Sequence, residues 1–372
     1  MTLTPGLYLA SSGSYPRTGD APEFQTLTRT LDAFNRGERS VADVVDAEND
    51  VMRRVIAEQV QAGVEIVTDG QVRWRDPISH LAAKLENIRL EGSCEFPGLP
   101  GSGVQFRQPI FSGKPARKSA LVLDDYNFAR NALGRLPTPR PLAGKLKIKP
   151  VLTGPYTLAQ CSVIDESGGS DGAAARSMVA LFASVEARAM AYAEVLAAEV
   201  VALAEAGADL IQIDESAPIQ RPQDWLILKK SVALLVEARN SSAKAGRGCD
   251  LALHICFQDC AALYEKVVSL PLDVIGLDFT CSPKLADVIA ASGSPKTLAL
   301  GLVDGRSREL ENPEAVARQI ERILPKIEGG RAYFTPSCGL AHLPHERAFA
   351  KLELLAKIRS AITVESAHAT NG

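Results

Sequence analysis

Short apolar runs alternate with longer amphipathic stretches along most of the chain. Runs rich in Val, Ile and Leu predict buried strands, and apolar residues at helical spacing between them predict amphipathic helices. The predicted strands are 7–11, 64–67, 146–152, 209–213, 251–256, 273–277, 297–303 and 331–335. The predicted helices are 40–62, 177–206, 225–245, 259–268, 284–291, 313–327 and 346–362. Gly63 and Gly207 are expected to end the first two helices.

This alternation predicts an α/β fold, a (β/α)8 TIM barrel. A doubly wound sheet is the alternative, but it does not require a polar residue after every strand. Such residues do follow the strands here: Ser14, Gln71, Thr157, Asp214, His254 with Cys256, Asp278, Arg306 and Cys338. Because the carboxyl ends of barrel strands meet at one mouth, we expect these side chains to converge there.

Residues 90–141 differ from the rest of the pattern. Glycine and proline are dense between Gly92 and Gly103, and Val104-Gln105-Phe106 suggests strand alternation. We interpret this segment as an excursion between the second and third strands, a hairpin followed by a short helix at 125–133. Residues 1–372 are then expected to form a single catalytic barrel domain with this insertion.

Composition narrows the class of protein. The 372 residues are 46% hydrophobic and 23% charged, with a net charge of −3, which is typical of a globular enzyme. This charge does not favour nucleic acid or an acidic membrane surface as a partner. We expect no signal peptide and no membrane span. Seven scattered cysteines favour a reducing compartment, so a cytoplasmic location is expected.

The run 251–256 ends in His254-Ile255-Cys256. Residues i and i+2 of a strand share one face, so the imidazole and the thiol lie side by side. In a barrel, Asp278 and Cys338 reach the same mouth, and the four side chains make a workable zinc (Zn2+) site. In the alternative interpretation the two cysteines are packing residues and Asp278 caps the next element.

A zinc ion held by two thiolates suits binding of a substrate thiol as thiolate better than strong acidification of water. This ligand set therefore favours alkyl transfer to sulfur. Two other classes stay open at this point: a zinc hydrolase, and a non-catalytic protein that zinc stabilises.

Five stretches together resemble the catalytic domain of the cobalamin-independent methionine synthase family. They are Gly13-Ser14-Tyr15-Pro16, Thr153-Gly154-Pro155-Tyr156-Thr157, Ile211-Gln212-Ile213-Asp214-Glu215, His254-Ile255-Cys256 and Pro336-Ser337-Cys338-Gly339-Leu340. The order of the five is that of the family, and they extend over nearly the whole chain. Full-length synthases carry a further N-terminal barrel, so this chain is expected to be the short, stand-alone form.

The resemblance implies a (β/α)8 barrel whose zinc activates homocysteine for methylation. His254, Cys256 and Cys338 match the family's zinc ligands, and Asp278 stands where the family usually has Glu. Ser14 falls at the position that holds the substrate carboxylate. Asp214 falls at the position that binds the substrate amine, and it is the residue expected to be catalytic.

Three departures from the family's pattern concern the substrates. Gln71 replaces a Glu that contacts the homocysteine amine, Cys161 replaces the Trp on which folate stacks, and Arg306 replaces a His. The changes at Cys161 and Arg306 imply a non-standard methyl donor, such as a methyl-corrinoid protein, and the neutral amide of Gln71 gives up an ion pair with the substrate amine. The expected function is zinc-dependent methylation of homocysteine, with Ser14, Gln71, Asp214 and Arg306 contacting the substrate.

The related epoxyalkane:coenzyme M transferases share the barrel and the zinc motif. Their thiol carries a sulfonate and no amine, which Gln71 and the cation of Arg306 would suit. Opening of an epoxide by coenzyme M is therefore the alternative function.

Overall fold

The structure is a computed structural model, and it describes residues 6–97, 104–165 and 180–369. Every predicted strand is present in it, with small shifts at the ends. The strands are β1 Gly6–Leu9, β2 Ile66–Val67, β3 Leu85–Glu95, β4 Gln105–Arg117, β5 Lys147–Ile148, β6 Val151–Thr153, β7 Val163–Ile164, β8 Leu210–Glu215, β9 Asp250–Ile255, β10 Val274–Asp278, β11 Thr297–Val303 and β12 Arg331–Pro336.

The parallel strands are joined in a ring. Seven of them follow the order β1-β12-β11-β10-β9-β8-β6. β5 pairs with β2, and a bridge between Ala10 and Ile66 joins β2 to the end of β1. β5 and β6 are the two halves of the predicted third strand, which divides at Lys149-Pro150 because proline has no N–H to donate. The eight strand positions confirm the (β/α)8 barrel.

The helices between the strands agree with the amphipathic pattern. The described helices are α1 Thr26–Asn35, α2 Val41–Gln61, α3 Ser79–Ala82, α4 Leu123–Gly134, α5 Pro155–Gln160, α6 Val185–Glu205, α7 Pro222–Lys244, α8 Tyr264–Val268, α9 Leu285–Ser292, α10 Pro313–Ile323 and α11 His345–Ala369. Ser40 caps α2 in a reciprocal box with Asp43. Gly63 and Gly207 have φ of +89° and +90°, so both helices end where predicted.

Some predicted bounds need correction. The helix predicted at 177–206 begins at Val185, capped by Ser184, and residues 177–179 lie outside the described residues. α1 and α3 were not predicted, and the segment after β6 turns at once into α5, with Pro155 in its first turn. All three helices are short, and helices of this length depend on tertiary contacts. α3 and α5 are mostly buried, whereas α1 buries only Leu27.

The excursion contains the expected hairpin and short helix. β3 and β4 pair antiparallel, and the short β7 adds to β4 in parallel. The hairpin begins at Leu85, five residues before the predicted start. None of the described helices combines the length and the apolar content that crossing a bilayer requires.

Candidate active site

A cavity of about 450 Å³ opens at the carboxyl end of the barrel strands. Its wall brings together most of the predicted site residues: Ser14, Gln71, Asp214, His254, Cys256 and Cys338. Phe96, Val104 and Gln105 show that the β3–β4 hairpin forms part of the same wall. The cavity therefore lies where a barrel enzyme carries its active site.

Strand periodicity explains how β8 and β9 supply the cavity. Leu210 and Ala252 belong to a small apolar cluster inside the barrel. Alternate residues of a strand share one face. Asp214 is four residues after Leu210 on β8, and His254 is two residues after Ala252 on β9, so both side chains lie on the face of that cluster, nearer the mouth. The two side chains meet there, with Oδ1 of Asp214 3.3 Å from Nδ1 of His254.

A buried polar network holds this pair from below. Gln212 Nε2 donates to Asp214 Oδ1 at 2.7 Å and to the carbonyl oxygen of Ser12 at 2.6 Å. The ammonium of Lys149 donates to the other end of the amide, Gln212 Oε1. Burial lowers the pKa of Lys149 to about 8, against the opposing charge of Asp214. The motif containing Asp214 was visible in the sequence, but Lys149 was not recognised as part of the site.

The two cysteine thiols are buried at the cavity wall. Burial, with a further contribution from the charge of Asp278, raises the pKa of Cys338 to about 12. The pKa of Cys256 is also raised, first by burial and then by Asp214 and Cys338. Ser216, which was not predicted, lies with its Oγ 3.1 Å from the Cys256 sulfur. Without a cation beside them these thiols stay protonated at neutral pH, whereas a metal ion would favour their thiolate forms.

The donor types around the cavity fit zinc. His254, Cys256 and Cys338 offer one imidazole and two thiols to one space, the ligand types that zinc prefers. Gly305 makes room for one of them, because a Cβ there would lie 2.7 Å from the Cys338 sulfur. In the described part of the chain, however, no three His, Cys, Asp or Glu side chains are already arranged as a metal site.

Asp278 and Arg306 lie beside the cavity wall instead of lining it. Asp278 Oδ1 accepts from the backbone N–H groups of Thr280 and Cys281 at 2.9 and 3.1 Å, and its Oδ2 accepts from Phe257 N at 3.2 Å. These hydrogen bonds are the ones expected in the alternative interpretation, in which Asp278 caps the next element. Arg306 is held by Asp304 at 2.9 Å and by the Cys281 sulfur at 2.9 Å.

Two adjoining turns carry the predicted substrate contacts. The turn after β1 holds Ser14, and the turn after β2 holds Gln71; Tyr15 N donates to Gly70 O at 3.0 Å between them. Gln71 has a φ of +52°, an uncommon conformation for a residue other than glycine. Asp69 Oδ1 accepts from Gln71 N at 3.1 Å and stabilises this turn.

Further cavity residues were missed in the sequence: Arg17, Thr18, Trp74, Arg75, Asp76 and His342. Arg17 and Arg75 lie in the turns after β1 and β2. The presence of a basic residue just after a predicted strand was the sequence signal that could have identified them. His342 follows the end of β12 and also lies at the cavity wall. Cys161 is 2% exposed and is not among the cavity residues.

Comparisons with known proteins agree with this geometry. The profile described as "Cobalamin-independent synthase, Catalytic domain" matches residues 9–360. Methionine synthase of Saccharolobus solfataricus is 27% identical over 353 residues, 95% of this chain and 93% of that protein. Methionine synthase of Sulfolobus acidocaldarius is 25% identical over 343 residues, 91% of this chain and 87% of that protein.

A solved structure is similar over the whole fold. The B12-independent methionine synthase of Shewanella sp. W3-18-1, solved with selenomethionine, superposes with a TM-score of 0.67 at 19% identity. The match covers 99% of this chain and 100% of that one, and it supports the barrel assignment. Because the family profile extends over nearly all of the chain, the chain belongs to the family of cobalamin-independent synthase catalytic domains.

Proposed function

We propose that the chain is a zinc-dependent S-methyltransferase that methylates homocysteine to methionine. The observation that carries this proposal is the placing of Asp214 in one cavity with His254, Cys256 and Cys338. A carboxylate that can bind an amine thereby lines the same space as three side chains of the types that bind zinc. Homocysteine has the matching groups, a thiol at one end and an amine at the other.

The chain's own residues would orient the thiol substrate. Asp214 accepts from Gln212 at one oxygen and keeps acceptor capacity for the substrate amine. Ser14 and Gln71, on the two adjoining turns, provide neutral hydrogen-bonding groups for the carboxylate end. His254, Cys256 and Cys338 would hold zinc, with Asp278 beside them. Zinc, when bound there, supplies a Lewis acid that keeps a thiol deprotonated at neutral pH.

In the proposed reaction a sulfur–carbon bond forms and the bond between the methyl group and its donor breaks. The donor leaves with the electron pair of that bond, and the thiol proton passes to solvent. Cys161 is buried away from the cavity, so the aromatic platform of the folate-dependent enzymes is missing. This favours a non-standard donor, and a methyl-corrinoid protein is our proposal for it.

The second candidate is opening of an epoxide by coenzyme M. Gln71 favours it, because a neutral amide lines the cavity where an amine would gain more from a carboxylate. Asp214 opposes it, since its carboxylate would lie near a sulfonate-bearing substrate. Arg306, which the sequence suggested as the cation for such a substrate, is already held by Asp304.

Metal content and thiol selectivity test the proposal together. Purified protein should hold about one zinc per chain. Cys338→Ser should lose most of it, whereas Cys249→Ser, a buried cysteine at the other end of β9, should keep it. A zinc-edge absorption change with homocysteine and none with coenzyme M supports methyl transfer; the reverse supports the epoxide reaction.

Other outcomes separate the remaining classes. Protein without zinc, or equal zinc in the two serine variants, contradicts the metal assignment. Thiol-independent ester hydrolysis identifies a metallohydrolase. Loss of the folded state on chelation identifies a purely structural zinc, since a barrel with the metal at its mouth should stay folded.

All seven cysteines are free, which supports the proposed cytoplasmic location.

A further inference from the structure

Two arginines line the cavity beside the predicted thiol site. Arg17 stands three residues after Ser14, and Arg75 four residues after Gln71. They therefore belong to the same two turns that carry the predicted substrate contacts. Neither guanidinium is needed to bind zinc or the substrate amine, so the proposed function assigns no role to either of them.

Arg17 is fixed in place. Its Nη1 donates to the carbonyl oxygens of Val72 and Trp74 at 3.2 and 3.1 Å. Its Nε and Nη2 have no hydrogen-bond partner within the described residues. A guanidinium anchored through one nitrogen keeps its remaining N–H groups directed as a rigid fork.

Arg75 is exposed at the cavity and has no hydrogen bond or ion pair in the part of the chain that the structure describes. The nearby acids are already engaged. Glu48 lies 3.5 Å from Arg73 and also attracts Arg17, and Oδ1 of Asp76 accepts from the backbone N–H groups of Ile78 and Ser79. Two like charges at one wall repel each other, so a bound anion would relieve an unfavourable arrangement.

We propose that Arg17 and Arg75 form an anion-binding subsite that takes a carboxylate, sulfonate or phosphate group of a small molecule. This rests on the proposed function in one respect, that the cavity holds a thiol and the alkyl group's donor. The anion belongs either to the thiol or to the donor. The cavity volume of about 450 Å³ falls within the range of pockets that hold ligands larger than a single amino acid.

Inorganic phosphate is the probe for the subsite. Calorimetric titration of the full-length protein at constant ionic strength should show saturable binding to wild type. Arg75→Gln should weaken this binding about tenfold, the usual effect of losing one charge-assisted hydrogen bond. Arg247→Gln is the matched control, because Arg247 is exposed and precedes β9 at the opposite end of the barrel. It should bind phosphate as wild type does.

Competition identifies the source of the anion. If saturating homocysteine displaces phosphate, the subsite holds the acid group of the thiol substrate. If phosphate binds equally well with homocysteine present, the subsite holds the acid group of the donor. Arg17→Lys keeps the positive charge, so it should retain phosphate binding better than Arg17→Gln does. This comparison distinguishes loss of the charge from a change in the conformation of the turn, which both variants could cause.

The proposal is overturned if wild type binds no phosphate, or if wild type, Arg75→Gln and Arg247→Gln bind it equally. Zinc content is measured on the same samples. Phosphate binding without zinc would contradict the proposed function and leave the subsite standing. Zinc with homocysteine binding but no effect of Arg75→Gln would contradict the subsite alone.

Discussion

Gly339 packs directly on Ser14. Leu340 N donates to Ser14 O at 2.7 Å, which ties the turn after β12 to the turn after β1. A Cβ on Gly339 would lie 2.1 Å from Ser14 Oγ and 3.0 Å from Ser14 N. The hydroxyl could rotate away, but the backbone nitrogen could not, so the position of Ser14 depends on the absence of a side chain at residue 339.

Gly339→Ala should therefore displace the turn that carries Ser14. We expect a loss of about 1–3 kcal/mol in the free energy of unfolding and weaker binding of homocysteine. Denaturant unfolding and calorimetric titration of the thiol measure the two effects. Gly134→Ala is the control, since a Cβ at the end of α4 meets nothing within 4 Å. Equal thiol affinity in the two variants would contradict this role of Gly339.

Asp69 should make the stability of the protein depend on pH. Burial, with a further contribution from Asp125, raises the pKa of Asp69 to about 7, whereas in the unfolded chain an Asp titrates near pH 4. Between these values the folded state keeps a proton that the unfolded state has lost. The contribution of Asp69 is thus fully present below pH ~4 and is lost as the pH rises to about 7, by roughly 1.4 kcal/mol per pH unit.

Asp69→Asn should remove this dependence. Urea unfolding of wild type and variant across pH 4–8 should show wild type losing stability relative to the variant as the pH rises. Asp50→Asn is the control, because that carboxylate is exposed and paired with Arg53 on the surface of α2. A stability difference between wild type and Asp69→Asn that stays constant with pH would show that Asp69 is ionised in the folded state.

The barrel and much of the cavity wall could be predicted because they depend on short-range periodicity. Alternation along a strand places His254 and Cys256 on one face, and the strand-end rule carries Asp214 and Cys338 to the same mouth. The rule failed for Arg306 as a cavity residue. It follows β11, but its guanidinium is held by Asp304 and Cys281, and sequence position does not reveal such local pairing.

Other parts of the site depend on contacts between distant segments. The sequence predicted the hairpin, but not that Phe96 and Val104 would form part of the cavity wall. Lys149 gave no signal because a lysine beside a proline usually indicates an exposed strand end. It is 3% exposed because Gln212, on another strand, meets its ammonium group.

The contact between Lys149 and Gln212 fixes which way the Gln212 amide faces. An ammonium can only donate, so the amide oxygen must face Lys149 and the amide nitrogen must face Asp214, to which it donates at 2.7 Å. Lys149→Met should remove this constraint with little change in side-chain volume. The amide can then rotate, and its oxygen would repel the carboxylate that is proposed to bind the substrate amine.

We expect Lys149→Met to weaken homocysteine binding about tenfold, the loss that follows when a supporting hydrogen-bond partner is removed. Binding of 3-mercaptopropionate, a thiol without an amine, should change little. The Gln212 oxygen loses its buried donor in this variant, so we expect a loss of about 1–3 kcal/mol in the free energy of unfolding. Lys147→Met is the control. Lys147 lies on β5, two residues before Lys149, and the substitution breaks its ion pair of 3.0 Å with Asp209. If Lys149→Met weakens both thiols equally, Lys149 supports the barrel as a whole and not the orientation of Asp214.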